Sequence, residues 1–157
     1  MEKLIYITKG KVAVVDSEDY ADLSKHKWCS WSRGRYAGRK ITENGKTRIV
    51  LMHREIMRAT KGQEIDHING DGLDNRKENL RYVTRQQNIF NKKPQGKTSQ
   101  YKGVYYRAKE DRWVAQISVN RVKKYLGIYK SEKQAAIAYN NEAEKAYGEY
   151  AWLNEVT

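Results

Sequence analysis

Short apolar runs broken by polar turns organise the chain from its start. Leu4 to Val15, LIYITKGKVAVV, is apolar on both sides of Lys9-Gly10 and predicts two strands joined by a tight turn. A short helix is expected over 17–24. Three strands follow at 27–31 (KWCSW), 35–39 (RYAGR) and 47–52 (TRIVLM), with Asn44-Gly45 as a strong turn signal. Next comes a helix over 53–58, with Ile56 and Met57 expected to pack beneath the segment after it. That segment, Glu64 to Ile68, alternates around Ile65 and Ile68 and breaks at Asn69-Gly70-Asp71-Gly72, residues that tolerate positive φ. Leu80 to Val83 reads as another short strand. Thr84-Arg85-Gln86-Gln87 is a capping box, in which hydroxyl and amide satisfy each other's orphan backbone donors at the start of a helix.

The pattern then changes. Residues 92–100, KKPQGKTSQ, hold the chain's single proline, a glycine and three lysines but no apolar side chain, and read as a basic linker. Beyond it three strands are predicted at 101–107, 113–119 and 122–127, with turns at 109–111 and 120–121. Period two sorts the middle strand: Trp113, Ala115, Ile117 and Val119 face one way, Val114, Gln116 and Ser118 the other. Ser131-Glu132-Lys133-Gln134 is a second capping box. It opens a helix with Ala135, Ala136, Tyr139, Ala143, Ala146 and Tyr147 on one face and Gly148 as C-cap. The expected fold class is α+β, divided as 1–91, a linker at 92–100, and 101–157.

Charge adds a partner. Lys and Arg number 31 against 19 Asp and Glu, a net charge of +12, which points to a polyanion; a membrane surface is the rival. No apolar run approaches a membrane span and the first residues lack a signal-peptide core, so a cytoplasmic protein that is not exported is expected. Cys29 stands alone, so no internal disulfide is expected. Within 101–125 seven basic residues face two acidic ones, whereas 130–155 has three basic and five acidic. The open sheet is therefore the expected nucleic-acid face and the helix its support. Arg33, Arg35, Arg39, Lys40, Lys46 and Arg48 form another basic set, read either as a phosphate-backbone contact or as a solvated face.

Candidate chemistry concentrates in 64–92. Asp66 and His67 lie on a predicted strand, Asn79 at the mouth of the next, and Asn88 early in the following helix, so the four could converge. A hard cation such as Mg²⁺ takes oxygen ligands and often only one or two protein side chains, which Asp66 and Asn88 would supply. An imidazole near its unperturbed pKa of about 6.5 can take a proton from water, making His67 the candidate general base. Metal and base together give phosphodiester hydrolysis. His53 is read as a structural hydrogen-bonding histidine and left outside the catalytic set.

The stretch DHINGDGLDNRKENLRYVTRQQN resembles the HNH endonucleases, the ββα-metal nucleases of phage and intron-homing type, over about residues 53–92. In their pattern the acid–histidine pair is Asp66-His67, the middle asparagine Asn79, and the last residue Asn88, in place of the final histidine. The resemblance implies that Asn79 holds the loop and orients the histidine and that Asn88 completes the metal site. An amide oxygen in place of imidazole favours Mg²⁺, with Mn²⁺ as the alternative, over Zn²⁺. It further implies cutting of double-stranded DNA to a 5′-phosphate and a 3′-hydroxyl, site-specific or homing-like. One site per chain implies nicking by a monomer, unless a dimer pairs two sites.

Residues 99–155 carry a second resemblance, in Tyr101-Lys102-Gly103-Val104, Trp113-Val114-Ala115-Gln116-Ile117, Tyr125-Leu126-Gly127, Ala135-Ala136-Ile137-Ala138-Tyr139 and Ala151-Trp152-Leu153-Asn154. They are similar to the DNA-binding domain of plant ethylene-response factors, which also occurs fused to phage HNH nucleases. There a three-stranded sheet reads the major groove, and the matching positions are Lys102, Tyr105, Arg107, Lys109, Gln116, Lys123 and Tyr125. Lysine or tyrosine replaces several of that family's arginines and a tryptophan, and lysine lacks the planar fork that reads guanine, so the family's target sequence does not transfer. The expectation is a metal-dependent DNA endonuclease with a sheet-based reader. The alternatives are a DNA-binding regulator with an inactive nuclease fold, and an RNA nuclease.

Overall fold

The computed structural model describes residues 1–94, 96 and 98–156. Gln95 and Lys97 of the expected 92–100 linker, and Thr157, lie outside the described residues. The chain divides into two compact units, Met1–Asn88 and Ile89–Thr157.

In the first unit β1 (Glu2–Ile7) and β2 (Lys11–Asp16) form a hairpin closed by Lys9 and Gly10, both at positive φ, and α1 (Ser17–Leu23) follows at once. β3 (Cys29–Trp31), β4 (Tyr36–Glu43) and β5 (Lys46–Leu51) make a three-stranded antiparallel sheet, with Asn44-Gly45 turning at positive φ. Then come α2 (Met52–Ile56), β6 (Glu64–His67), β7 (Leu80–Val83) and α3 (Arg85–Phe90), with β6 and β7 paired antiparallel. The core gathers Ile5, Ile7, Ala13, Val15, Leu23, Trp28, Ala37 and Met52, with Ile56 and Leu73 packed at its margin. Met52 is the fully buried residue of this helix, and Met57, expected to pack beneath the next segment, lies half-buried at its C-cap. The capping box at α3 forms in both directions: Gln87 N donates to Thr84 Oγ1 at 3.2 Å and Thr84 N to Gln87 Oε1 at 2.8 Å.

The second unit is a meander of β8 (Val104–Arg107), β9 (Arg112–Val119) and β10 (Val122–Tyr129) in the order β10-β9-β8, packed on α4 (Glu132–Tyr147). Ala115, Val104, Ala135 and Ala136 pack with Tyr101 and Trp113, and Ile117, Tyr139 and Ala143 with Val119. Val114, on the opposite face of β9, is also fully buried. The second capping box does not form. Ser131 is the N-cap without a side-chain cap bond, and Glu132 instead accepts from the Ser99 hydroxyl at 2.7 Å. Among the described residues of the expected linker, Thr98 Oγ1 accepts from Tyr106 N, and the Lys93 ammonium lies 5.6 Å from the Trp152 ring. These residues pack onto the C-terminal unit.

Gly103 permits the approach of α4. Its φ is +74°, and a Cβ there would stand 2.0 Å from a Tyr139 ring carbon and 2.6 Å from the Gln116 carbonyl oxygen. Gly103→Ala is expected to destabilise the C-terminal unit by about 3 kcal/mol, from overpacking and left-handed strain together, measured as a lower urea midpoint.

Candidate active site

β6 presents its side chains alternately, so Glu64 and Asp66 emerge on one face and Ile65 and His67 on the other. The register sets Asp66 opposite Arg81 and His67 opposite Leu80. Asp66 is 7% exposed, and its Oδ2 accepts from Arg81 Nε at 3.1 Å and Nη2 at 2.9 Å. A buried carboxylate needs such a partner, since leaving it unpaired would cost several kcal/mol.

His67 is buried, and its Nε2 lies 3.4 Å from Asn75 Oδ1. Asn75 has no solvent exposure; its Nδ2 donates to the Leu73 carbonyl at 3.0 Å, so its oxygen is the end turned to the ring. The ring therefore carries its proton on Nε2 and its lone pair on Nδ1. Burial lowers the His67 pKa, opposed by the Asn75 bond and by the Asp66, Asp71 and Asp74 carboxylates. Burial thus biases the imidazole toward its neutral form.

The loop between β6 and β7 is bonded to itself. Asn79 Nδ2 donates to Asn69 Oδ1 at 3.0 Å and to the Asp74 carbonyl at 2.8 Å, while Asn79 Oδ1 accepts from Asn69 N at 3.0 Å. Asp74 in turn takes Asn69 Nδ2 and the Arg76 guanidinium. The N-terminal hairpin holds the loop from outside: Val14 N donates to the Leu73 carbonyl, Asn75 N to the Val14 carbonyl, and Lys77 N to Asp16 Oδ2, at 2.8–2.9 Å. Gly72 lies so close to β4 that a Cβ would meet the Arg35 carbonyl oxygen at 2.2 Å.

Each of the four residues singled out in this region has its own partner: Asp66 has Arg81, His67 has Asn75, Asn79 has Asn69 and Asp74, and Asn88 Nδ2 donates to Glu64 Oε2 at 2.8 Å. Asn88 thus reaches the face of β6 that carries Asp66. Among the described residues no group of three or more His, Cys, Asp or Glu side chains gathers as a metal cage. The donors on this face, a carboxylate and an amide, are hard oxygens that suit Mg²⁺ or Mn²⁺, cations that keep several waters.

Asn75 and Arg81 were not reached by sequence reasoning, and His53 was left outside the site. Asn75 was legible only as turn chemistry. Arg81 lies on the Asp66 face by period two, but the pairing needed the register. His53 packs against His67, ring centroids 4.9 Å apart and nearly perpendicular, with Tyr36 5.3 Å from His53 and 5.9 Å from His67. Among the described residues its Nδ1 is buried without a hydrogen-bond partner.

The seven C-terminal residues lie in the other unit. Tyr105, Arg107, Gln116, Lys123 and Tyr125 share the sheet face turned away from α4, with Arg112 beside them by register, and Lys109 is exposed in the β8–β9 turn. Arg107 is paired with Glu110 at 2.9 Å. Lys102 is more enclosed than an open sheet face implies: its ammonium donates to the Phe90 carbonyl, and burial, with Lys92 nearby, lowers its pKa to about 8. Lys92, Lys93 and Pro94 line a cavity of about 410 Å³ with Lys102, Tyr105 and Gln116. Of the N-terminal basic set, Arg39 is held bidentately by Glu55, both bonds 3.0 Å, and Arg48 pairs with Glu43. Those guanidinium groups are engaged within the fold.

Residues 51–89, which span α2, β6, β7 and most of α3, match the family model described as HNH endonuclease. An uncharacterized HNH endonuclease of Acanthamoeba polyphaga mimivirus is 29% identical over 161 residues, covering 99% of this chain and 84% of that protein. No solved structure matches the chain. The two similarities support a nuclease function. No helix among the described residues is long and apolar enough to cross a membrane.

Burial holds the His53 pKa down at about 3. The unfolded chain binds this proton below pH 6.5, whereas the folded chain refuses it until about 3. Stability from this group is therefore complete above pH 6.5 and falls as pH drops toward 3. Between pH 7 and 5 the loss is roughly 2 kcal/mol, at about 1.4 kcal/mol per pKa unit. His53→Leu is expected to flatten the pH dependence of urea unfolding by about that amount.

Proposed function

We propose that the chain is a divalent-metal-dependent DNA endonuclease of HNH type, with Asp66, His67, Asn79 and Asn88 as its site and the C-terminal sheet as its DNA reader. The observation that carries this reading is His67: a buried imidazole, biased toward its neutral form, one residue from a buried carboxylate, with its tautomer set by Asn75. His67 takes a proton from water at Nδ1 while the water oxygen attacks phosphorus. The P–O3′ bond breaks, and the leaving oxygen is protonated from solvent, giving a 5′-phosphate and a 3′-hydroxyl. Asn75 holds the ring and Asn79 the loop, so neither has to reorganise as charge develops. Asp66 and Asn88 would hold Mg²⁺, or Mn²⁺ in its place, and the cation when bound stabilises charge on the phosphate.

Targeting belongs to the second unit. Lys123, Tyr125, Gln116 and Tyr105 lie on a twisted sheet face of the width a major groove accepts, and Lys102, Arg107 and Lys109 add positive charge around it. Homing-like site selection, an ethylene-response-factor-type reader and nicking by a monomer complete the proposal.

Supercoiled plasmid should be nicked by the wild type with Mg²⁺ and left intact with EDTA. His67→Ala should lower the nicking rate by about 100-fold or more, the contribution of a positioned general base. Wild type that binds a DNA target yet never cuts it with Mg²⁺ or Mn²⁺ would sink the nuclease reading in favour of a binding regulator.

A further inference from the structure

Glu64 opens β6 two residues before Asp66, and its side chain accepts from the Asn88 amide, Nδ2 to Oε2 at 2.8 Å. A side-chain amide has one donating and one accepting end, exchanged by a half-turn about its last torsion. A carboxylate can only accept. Glu64 therefore selects the flip state in which the Asn88 NH₂ points at the carboxylate and Oδ1 points away from it. For a cation this choice is decisive, since the amide oxygen is a hard ligand and the NH₂ is not a ligand at all.

We infer that Glu64 is a positioning residue for the divalent-cation site, locking the Asn88 amide so that its oxygen is displayed. The inference rests on the proposed metal site at Asp66 and Asn88 and explains how an asparagine serves there. Without Glu64 the amide samples both flips, and a bound cation must select the productive one. Partners that orient ligands in this way typically govern metal affinity by 10–100-fold.

The test is Mn²⁺ binding by the full chain, read by electron paramagnetic resonance of the free ion, with circular dichroism to confirm folding. Glu64→Ala should weaken binding about 10-fold. Glu64→Gln has a donating and an accepting end of its own, so it selects neither flip and should weaken binding almost as far as Glu64→Ala. Asn88→Asp displays an oxygen in either flip state, so adding Glu64→Ala to it should cost nothing. Unchanged affinity in Glu64→Ala would overturn the inference. So would the same loss in the Asn88→Asp background, which would mean that the carboxylate acts by its charge. Wild type that binds no Mn²⁺, or binds it equally after Asp66→Ala, would remove the metal site itself and this inference with it.

Discussion

The burial of a polar loop is the constraint on which the site depends. Asn69, Asp74, Asn75 and Asn79 lie between β6 and β7, and Asp74, Asn75 and Asn79 are nearly sealed from solvent. A buried amide or carboxylate left unbonded costs about 1–3 kcal/mol or more, so the loop is stable only when its members satisfy one another. They do so in a closed set: Asn79 bonds Asn69 and Asp74, Asp74 bonds Arg76, and Asn75 bonds Leu73 and His67. The imidazole is thus oriented by the same bonds that make the loop affordable to bury.

The N-terminal hairpin and the β3–β4–β5 sheet serve this arrangement from opposite sides. β2 hydrogen-bonds the loop through Val14, while β4 and α2 bring Tyr36 and His53 against the His67 ring. These ring contacts help bury the imidazole without adding charge, which lowers its pKa and narrows its orientation. On the other face of β6, Arg81 and Glu64 hold the oxygen-bearing side chains.

The C-terminal unit solves a different problem. Its sheet is supported by a helix whose contact residues are mostly alanine, so backbone and sheet come close and Gly103 must lack a side chain beneath Tyr139. Asn154 ties the chain's end back, accepting from Lys102 N at 2.7 Å and donating to the Lys102 carbonyl at 3.1 Å. The helix thereby leaves the opposite sheet face to its polar and basic residues.

Local patterns determined much of this protein by themselves. Apolar runs marked β1 and β2, alternation marked β6 and β9, positive-φ residues marked the turns at Lys9-Gly10 and Asn44-Gly45, and Thr84 with Gln87 marked the start of α3, because each signal is satisfied within a few residues of chain. The Asp66, His67, Asn79 and Asn88 set was read from the strand–loop–strand–helix order together with the resemblance to HNH endonucleases. Tertiary structure alone decided which partners those residues have: Arg81 for Asp66, Asn75 and His53 for His67, Glu64 for Asn88, and Ser99 for Glu132 in place of a second capping box. Each partnership is a hydrogen bond or ring contact fixed by strand register or by burial against a distant element, and neither is written in local sequence. Burial also set the protonation of the two histidines, since desolvation depends on everything that packs around a ring rather than on its neighbours in the chain.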